Sequence, residues 1–221
     1  MEALAGVTGA LLSIYDLTKG VDPALSISDI RLNIKEGGKS GHWEHPEYLP
    51  ETKIEKNTAS EWQNMTVAIV TISDRVSSAK ADDLSGPAIR SYFMERGAKI
   101  VDEVKIPDEK DLIRTTVQRL SGKAKLVMTT GGTGLGPRDV TPEALEPVFE
   151  KVIPGLPELL RAEGSRHTLK AWLSRSVAGT IGQSLVIALP GSPKAVNECL
   201  NSLEKLIPHS LHILEGGGHS A

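Results

Sequence analysis

Between residues 66 and 214, short runs of β-branched and other apolar residues alternate with segments of helical character. The apolar runs TVAIVTI, AKIVDEVKI, AKLVMTT and SLVIALPG are predicted to be β-strands. The stretches GPAIRSYFMERG, PDEKDLIRTTVQRLSG, TPEALEPVFEKVI and SPKAVNECLNSLEKLI are predicted to be helices. Strands that alternate with helices favour a mostly parallel sheet with right-handed crossovers. The sequence therefore predicts an α/β fold.

The composition changes on the N-terminal side of this pattern. Residues 44–65 are polar, contain two prolines and show no sustained periodicity, which is typical of a linker. We therefore predict four parts: a short N-terminal segment over residues 1–43, the linker over 44–65, a domain over 66–216 and a flexible tail over 217–221. A domain of about 150 residues is a common size.

The overall composition argues against several classes of function. The formal net charge is -3 and aromatic residues make up 4% of the chain, whereas broad nucleic-acid-binding surfaces need a basic excess and stacking rings. No apolar run approaches the roughly 20 residues that span a membrane, and the start MEALAGVTGALLSIYD lacks the basic leader of a signal peptide. The one cysteine, Cys199, excludes an intrachain disulfide and is interpreted as a small buried apolar residue. We expect a cytoplasmic protein without nucleic-acid or membrane partners.

Three predicted strands end in loops that are rich in small, polar and acidic residues. In a parallel sheet, ligands bind beyond the carboxyl ends of the strands, so these loops form the candidate site. The candidate binding residues are Thr71, Ser73 and Asp74 in the first loop, Gly131, Gly132, Thr133, Gly134 and Arg138 in the second, and Pro190, Gly191, Ser192 and Lys194 in the third.

The second loop, TTGGTGLGPRDVTPEAL, is the most specific of the three. Glycines let the backbone approach a ligand closely and let successive N–H groups point into one concavity that suits phosphate oxygens. The predicted helix start at Thr141 adds the positive end of its dipole. The loop is not a Walker motif, because no Gly-Lys-Ser/Thr follows the glycines. The alternative is a glycine-rich turn in which Asp139 or Thr141 caps the helix and Arg138 is solvated.

Two aspartates are candidates for holding a divalent metal beside a bound phosphate. Mg²⁺ prefers carboxylate oxygens and keeps open positions for phosphate and water. Asp139 lies in the glycine-rich loop, and Asp108 follows the second predicted strand, at what we expect to be a neighbouring strand end. Taken alone, Asp108 is better explained as a helix N-terminal residue. Lys194 at a helix start suits a nearby anion, with a solvated lysine as the alternative.

These motifs, taken together and in this order, resemble the molybdopterin adenylyltransferases of the MogA/MoaB family. The resemblance covers nearly all of residues 66–214 and rests on TISDR, SGPAI, IPDE, TTGGTGLGPRDVTPEAL, PGLPELLR, LSRSVAGT and LPGSPKAV. It implies a three-layer αβα fold, commonly trimeric, that joins molybdopterin to ATP with Mg²⁺ and releases pyrophosphate. A molybdenum-inserting enzyme is the partner that the resemblance implies.

The resemblance also implies roles for particular residues. Asp108 and Asp139 match the family's two functionally critical aspartates, as catalytic residues and metal ligands. The glycine loop from Gly131 to Gly134 would hold phosphates, and the loops at Ser73-Asp74 and at 191–194 would help bind nucleotide and pterin phosphate. One alternative is a non-catalytic molybdopterin-binding or scaffold domain. Another is a nucleotide pyrophosphatase of the competence-damage type, which the continuation RDVTPEAL disfavours.

The front of the chain resembles a different family. MEALAGVTGALLSIYDLTK and ISDIRLNIKEGGKSGHW are similar to the C-terminal portion of cyclic pyranopterin monophosphate synthase, the MoaC family. In that resemblance Asp16 and Lys19 match catalytic residues, and their i, i+3 spacing puts them on one face of a helix. The loop Gly37-Gly38-Lys39 would lie nearby. A surface ion pair is the alternative for Asp16 and Lys19.

The N-terminal half of the MoaC family has no counterpart in this chain. We therefore expect a short, partial α+β segment that belongs to a longer fusion protein and starts here at an internal methionine. Residues 1–43 cannot form the whole site of that enzyme, so no cyclase activity is expected from the chain alone. Such a segment would expose apolar surface from Leu4, Leu11, Leu12 and Ile14.

Overall fold

A computed structural model of the chain describes residues 2–22, 24–37, 41–45 and 62–217. The chain forms two compact units, Met1–Glu55 and Lys56–Ala221. Gly38 and Lys39 of the predicted N-terminal loop, most of the predicted linker and most of the predicted tail lie outside the described residues. None of the described helices is long and apolar enough to cross a membrane.

The first unit combines one helix with two short strands. Helix α1 spans Glu2–Thr18, and strand β1, Ile34–Lys35, pairs antiparallel with strand β2, Trp43–Glu44. This mixture of helix and strand confirms the predicted small α+β segment. Of the apolar residues predicted to be exposed on α1, Leu12 and Ile14 are exposed. Leu4 and Leu11 are only partly exposed, since both lie on the more buried face of the helix.

The second unit is built on a six-stranded sheet. Its strands, in chain order, are β3 Thr66–Ile72, β4 Lys99–Ile106, β5 Leu126–Thr130, β6 Lys151–Val152, β7 Ala178–Ile181 and β8 Ser184–Leu189. They lie side by side in the order β4-β3-β5-β8-β7-β6. Strands β4, β3, β5 and β8 are mutually parallel, whereas β7 is antiparallel to both β8 and β6. The prediction of a mostly parallel sheet is confirmed.

Helices cover both faces of this sheet. They are α2 Asp74–Ser77, α3 Ser85–Glu95, α4 Lys110–Ser121, α5 Thr141–Leu145, α6 Gly155–Ser165, α7 Pro193–Leu203 and α8 Leu206–Leu214, with 3₁₀ turns at Glu146–Val148 and Leu169–Leu173. Successive residues of β3 point to opposite faces. Ile69 packs in one core with Phe93 of α3, and Val70 packs in the other with Val117 of α4. The fold is therefore a three-layer αβα arrangement, as the resemblance implied.

Two predicted helices are shorter than expected, and proline explains both. The segment TPEALEPVFEKVI forms only α5, a 3₁₀ turn and the edge strand β6. Pro147 lacks an N–H and its ring clashes with the carbonyl of the preceding turn, so an α-helix cannot continue through it. The last predicted helix divides into α7 and α8, which places Pro208 in the first turn of α8, where proline is tolerated.

The folded core of the second unit begins before β3. Trp62 lies within the range predicted as a linker, but only 2% of its surface is exposed. Its ring packs against Phe93, with the ring centroids 5.8 Å apart. Burying an indole of this size is a large apolar contribution to the core.

The strand order places a crevice at the carboxyl ends of β3 and β5. From β3 the chain passes to β4, on one side of β3. Strand β5 lies on the other side of β3, and from β5 the chain continues to β6, farther along that same side. Connections that depart in opposite directions leave an open crevice between the two strand ends, where α/β proteins bind their ligands. The loops after Ile72 and Thr130 therefore flank the expected ligand-binding crevice.

Candidate functional site

Two aspartates lock together the loops that follow β3 and β4. The backbone N–H of Asp74 donates to Asp108 Oδ2 at 2.9 Å, and the backbone N–H of Asp108 donates to Asp74 Oδ1 at 3.1 Å. Helix α4 begins at Lys110 with Glu109 as its N-cap, so Asp108 is not a capping residue. The structure thus brings Asp108 to the crevice while it still lies at the N-terminal end of α4, directly before the N-cap, so a catalytic role for it stays a prediction.

The first two glycines of the loop after β5 are required by close approach. A Cβ on Gly131, which has φ +103°, would lie 2.1 Å from the carbonyl oxygen of Ile72. A Cβ on Gly132, with φ +62°, would lie 2.3 Å from Thr141 Oγ1 and 3.0 Å from Asp108 Oδ1. Only glycine tolerates both this backbone conformation and these distances. The loop therefore passes directly over the end of β3 and beside the Asp108 carboxylate.

Asp139 shapes the far side of the same loop. Its Oδ2 accepts a hydrogen bond of 2.8 Å from the N–H of Gly136. The N-cap of α5 is Val140, which makes no side-chain cap, so Asp139 does not act as the capping residue that a plain turn would use. Asp139 is instead one of the residues that line the crevice.

The crevice forms a cavity of about 330 Å³, here named the acidic cavity. Seven predicted site residues line it: Thr71, Ser73, Asp108, Gly131, Gly132, Asp139 and Gly191. The predicted convergence of the three strand-end loops is therefore observed at this cavity. Small polar side chains, glycine backbone and carboxylates together suit a phosphorylated ligand with a cation.

The carboxylates of the site differ in electrostatic environment. Burial raises the pKa of Asp108 above its usual value, and the charges of Asp74 and Asp139 add to the increase. Hydrogen bonds from Arg138 lower the pKa of Asp74. The ionised form of Asp108 is therefore disfavoured in this environment, and a cation bound nearby would stabilise its negative charge.

Replacing Asp108 with asparagine is expected to raise the melting temperature of the ligand-free protein near neutral pH. The native state holds the Asp108 proton more tightly than the unfolded chain does, so the ionised carboxylate costs stability above its native pKa. The asparagine carbonyl can still accept the hydrogen bond from the N–H of Asp74.

Because the cost vanishes below the ordinary aspartate pKa of about 3.9, the gain should shrink as the pH falls toward that value. Thermal unfolding of variant and wild type across this pH range measures it. A variant that melts at or below the wild-type temperature at neutral pH would contradict the electrostatic assignment.

A second cavity of about 510 Å³ lies beside the glycine loop, and we name it the apolar cavity. Its lining includes Thr133, Gly134, Leu160, Leu173, Pro190, Gly191, Ser192 and Cys199. The loop therefore separates the two cavities, while Gly191 lines both. Burial raises the pKa of the Cys199 thiol to about 12, so it is a neutral part of the wall, as predicted.

Two predicted cationic contacts are not directed into either cavity. Arg138 makes two hydrogen bonds of 3.0 Å to the carboxylate of Asp74 and one of 2.9 Å to Glu109. Lys194 is 82% exposed and its Nζ lies 4.0 Å from Glu198 Oε1, on the next turn of α7. The loop before Lys194 does reach the site, but the lysine side chain points along its own helix.

Asp16 and Lys19 lie in the first unit. They form an exposed ion pair on α1, with the spacing predicted for one helix face. That geometry is the surface pair given as their alternative, and a catalytic role for them stays a prediction.

Sequence reasoning missed two residues that build the acidic cavity. The side chain of Asp83 is only 2% exposed and accepts hydrogen bonds of 2.9 Å from Thr71 Oγ1 and from the N–H of Gly86. Ser85 Oγ donates to the carbonyl oxygen of Gly191 at 2.9 Å. The acidic and glycine-containing stretch ADDLSGP soon after β3 was the signal available for both.

The two carboxylates fit a cation that completes its shell with other ligands. Among the described residues, no group of three or more His, Cys, Asp and Glu side chains is placed to hold a metal ion. Mg²⁺ is commonly bound by one or two carboxylates together with water and substrate phosphates, rather than by a full protein cage. Asp108 and Asp139, lining one cavity, match that requirement.

Comparison with known proteins agrees with this geometry. Residues 68–209 match the family described as a probable molybdopterin binding domain, and residues 1–38 match the MoaC family. Over 220 residues the chain is 43% identical to the molybdenum cofactor biosynthesis bifunctional protein of Synechococcus elongatus, which covers 99% of this chain and 68% of that protein.

Two further relatives match the second unit. Over 159 residues the chain is 38% identical to the molybdopterin adenylyltransferase of Helicobacter pylori, covering 70% of this chain and 90% of that protein. The crystal structure of the molybdopterin biosynthesis enzyme MoaB from Thermus thermophilus superposes with a TM-score of 0.65 at 36% identity, covering 71% of this chain and 99% of that one. The chain therefore belongs to the molybdenum cofactor biosynthesis family, with a molybdopterin-binding domain of the MogA/MoaB type.

Proposed function

We propose that the second unit is a molybdopterin adenylyltransferase, which joins molybdopterin to ATP and releases pyrophosphate. The observation that carries the proposal is the glycine loop that separates two cavities, with Asp108 and Asp139 lining one of them. A transferase must hold two substrates so that their reacting groups meet, and this arrangement provides two adjoining spaces. The name of the Helicobacter pylori relative supports the same reaction.

The reaction is a phosphoryl-group displacement between two anions. An oxygen of the terminal phosphate of molybdopterin attacks the α-phosphorus of ATP, and a new P–O bond forms. The bond between the α-phosphorus and the oxygen bridging to the β-phosphate breaks, and pyrophosphate leaves with that electron pair. The protein has little covalent chemistry to perform here, so it contributes mainly by positioning and by neutralising charge.

The residues of the acidic cavity would provide these contributions. The backbone N–H of Gly132, which lines this cavity, would be suited to a phosphate oxygen. The N–H of Gly131 already donates to the carbonyl oxygen of Leu189 and holds the loop in place. Asp108 and Asp139 would hold Mg²⁺, which supplies positive charge against the phosphates when bound. The apolar cavity has a volume within the range of small-molecule sites and suits the flat ring of one substrate.

Pyrophosphate release by the purified chain tests this function. We expect release only when ATP, molybdopterin and Mg²⁺ are all present. Release from ATP without molybdopterin would instead indicate a nucleotide pyrophosphatase. Binding of molybdopterin without any release would indicate the non-catalytic scaffold.

The remaining expectations follow from the family and stay part of this proposal. We propose a cytoplasmic homotrimer that passes its adenylylated product to a molybdenum-inserting enzyme. A product that carries an activated phosphate linkage suits transfer to a later enzyme, because cleavage of that linkage can drive the next step.

A further inference from the structure

One arginine from a distant part of the sequence holds the middle of the glycine loop. The backbone N–H of Arg175 donates to the carbonyl oxygen of Thr133 at 2.9 Å, and its Nε donates to that of Gly134 at 2.8 Å. Its two terminal nitrogens donate to the carbonyl oxygen of Asp139 and to the Glu143 carboxylate. Arg175 therefore contacts both ends of the segment that carries Asp139, and the first turn of α5.

These contacts complement the bonds that fix the ends of the loop. The N–H of Gly131 donates to the carbonyl oxygen of Leu189 at 3.2 Å, and the N–H of Thr141 donates to that of Gly132 at 3.0 Å. Between these two anchors the chain must leave the sheet and return. Arg175 lies in the segment that leads into β7. Its hydrogen bonds connect residues 133–139 of the loop to that segment, and they therefore restrict where the Asp139 carboxylate can lie.

The chemistry of the contact requires a guanidinium. Three acceptors, two in the loop and one on α5, meet one side chain, and arginine offers five N–H donors in a rigid plane. A lysine ammonium is a single point donor and cannot reach the carbonyl oxygens of Gly134 and Asp139 and the Glu143 carboxylate in the same geometry. Arg175 does not line either cavity, whereas its neighbours Ser174 and Ser176 line the apolar cavity.

We propose that Arg175 is a positioning residue for the transfer reaction: it holds the glycine loop so that Asp139 faces the acidic cavity in the productive geometry. The kinetic part of this inference rests on the proposed adenylyl transfer, while the structural part does not. The role differs from general stabilisation, because the contacts converge on one loop.

Arg175→Lys is expected to lower kcat by about 10- to 100-fold, the loss typical of misplacing a reacting group by about 1 Å. The KM for ATP should stay within about twofold, because the phosphate-binding glycines at the start of the loop keep their own anchors. Glu143→Gln removes the ion pair but keeps both carbonyl contacts, so its loss should be clearly smaller. Arg114→Lys is the matched control, since Arg114 pairs with Asp111 on the surface of α4, away from both cavities.

Hydrogen exchange of the ligand-free proteins provides a readout that is independent of catalysis. In Arg175→Lys we expect faster exchange across residues 133–139 and unchanged exchange in the strands. In Arg175→Ala, added guanidinium ion at a non-denaturing concentration should restore part of the lost kcat, because it replaces the planar donor.

Three results would overturn the inference. Exchange at residues 133–139 equal to that of wild type would show that Arg175 does not hold the loop. Faster exchange spread over the whole second unit would assign Arg175 to general stability. An unchanged kcat would remove its role in the reaction. If wild type itself catalyses no transfer, the proposed function fails, and the exchange result still decides whether Arg175 holds the loop.

Discussion

Replacing Asp139 with asparagine is expected to abolish adenylyl transfer while the fold survives. Asparagine has nearly the same shape, and its carbonyl oxygen can still accept the hydrogen bond from the N–H of Gly136. The loop should therefore keep its conformation. What is lost is one negative charge in the acidic cavity, and with it the metal ligand that we propose at this position.

The size of this loss separates a working carboxylate from a structural one. Removing a single electrostatic contact to the transition state typically costs about 10² to 10³ in kcat, and loss of the metal would add to that. The measurement is kcat for pyrophosphate release, with the melting temperature as a test of folding. Asp111→Asn is the control, because that side chain on α4 is 84% exposed. Full activity of the Asp139 variant would contradict its assignment.

Replacing Gly131 with alanine is expected to cause the largest loss of stability in this region. The residue has φ +103°, where side chains are strained, and its Cβ would lie 2.1 Å from the carbonyl oxygen of Ile72. That oxygen belongs to the end of β3 and cannot move without disturbing the sheet. We expect a loss of at least about 3 kcal/mol in the free energy of unfolding, measured by urea denaturation.

Gly182 provides a matched control for the backbone conformation alone. It has φ +58° in the turn between β7 and β8, and nothing lies within 4 Å of its Cβ position. Gly182→Ala should therefore cost only about 1 to 2 kcal/mol from the left-handed conformation. The difference between the two variants measures the clash with Ile72. Equal losses would mean that the loop does not pass as closely over β3 as the structure indicates.

The chemistry of strand ends explains why much of the site was predictable. Buried parallel strands are nearly continuous apolar runs, and their carboxyl ends meet at one edge of the sheet. Asp108 and Asp139 are separated by a helix and a strand in the sequence, yet this rule brings both to the acidic cavity. The glycine pattern then identified the loop between them.

The residues that escaped prediction depend on contacts distant in sequence. Arg175 follows a 3₁₀ turn and gives no local sign that its side chain reaches Gly134 and Asp139. The edge strand β6 is two residues long and was hidden within an apparent helix. The sequence favoured an anion beside Lys194, and that contact stays a prediction: the exposed side chain lies with its Nζ 4.0 Å from Glu198 Oε1. Local patterns identify strand ends, but not the direction of a long side chain.

Following the α-phosphorus of ATP shows directly whether the second unit transfers the adenylyl group to molybdopterin. ATP labelled at that position is incubated with molybdopterin, Mg²⁺ and the purified chain, and the labelled products are separated and identified. We expect the label in adenylyl-molybdopterin, with one molecule formed for each pyrophosphate released. Label that stays in ATP, or that is found only in free AMP, would contradict it.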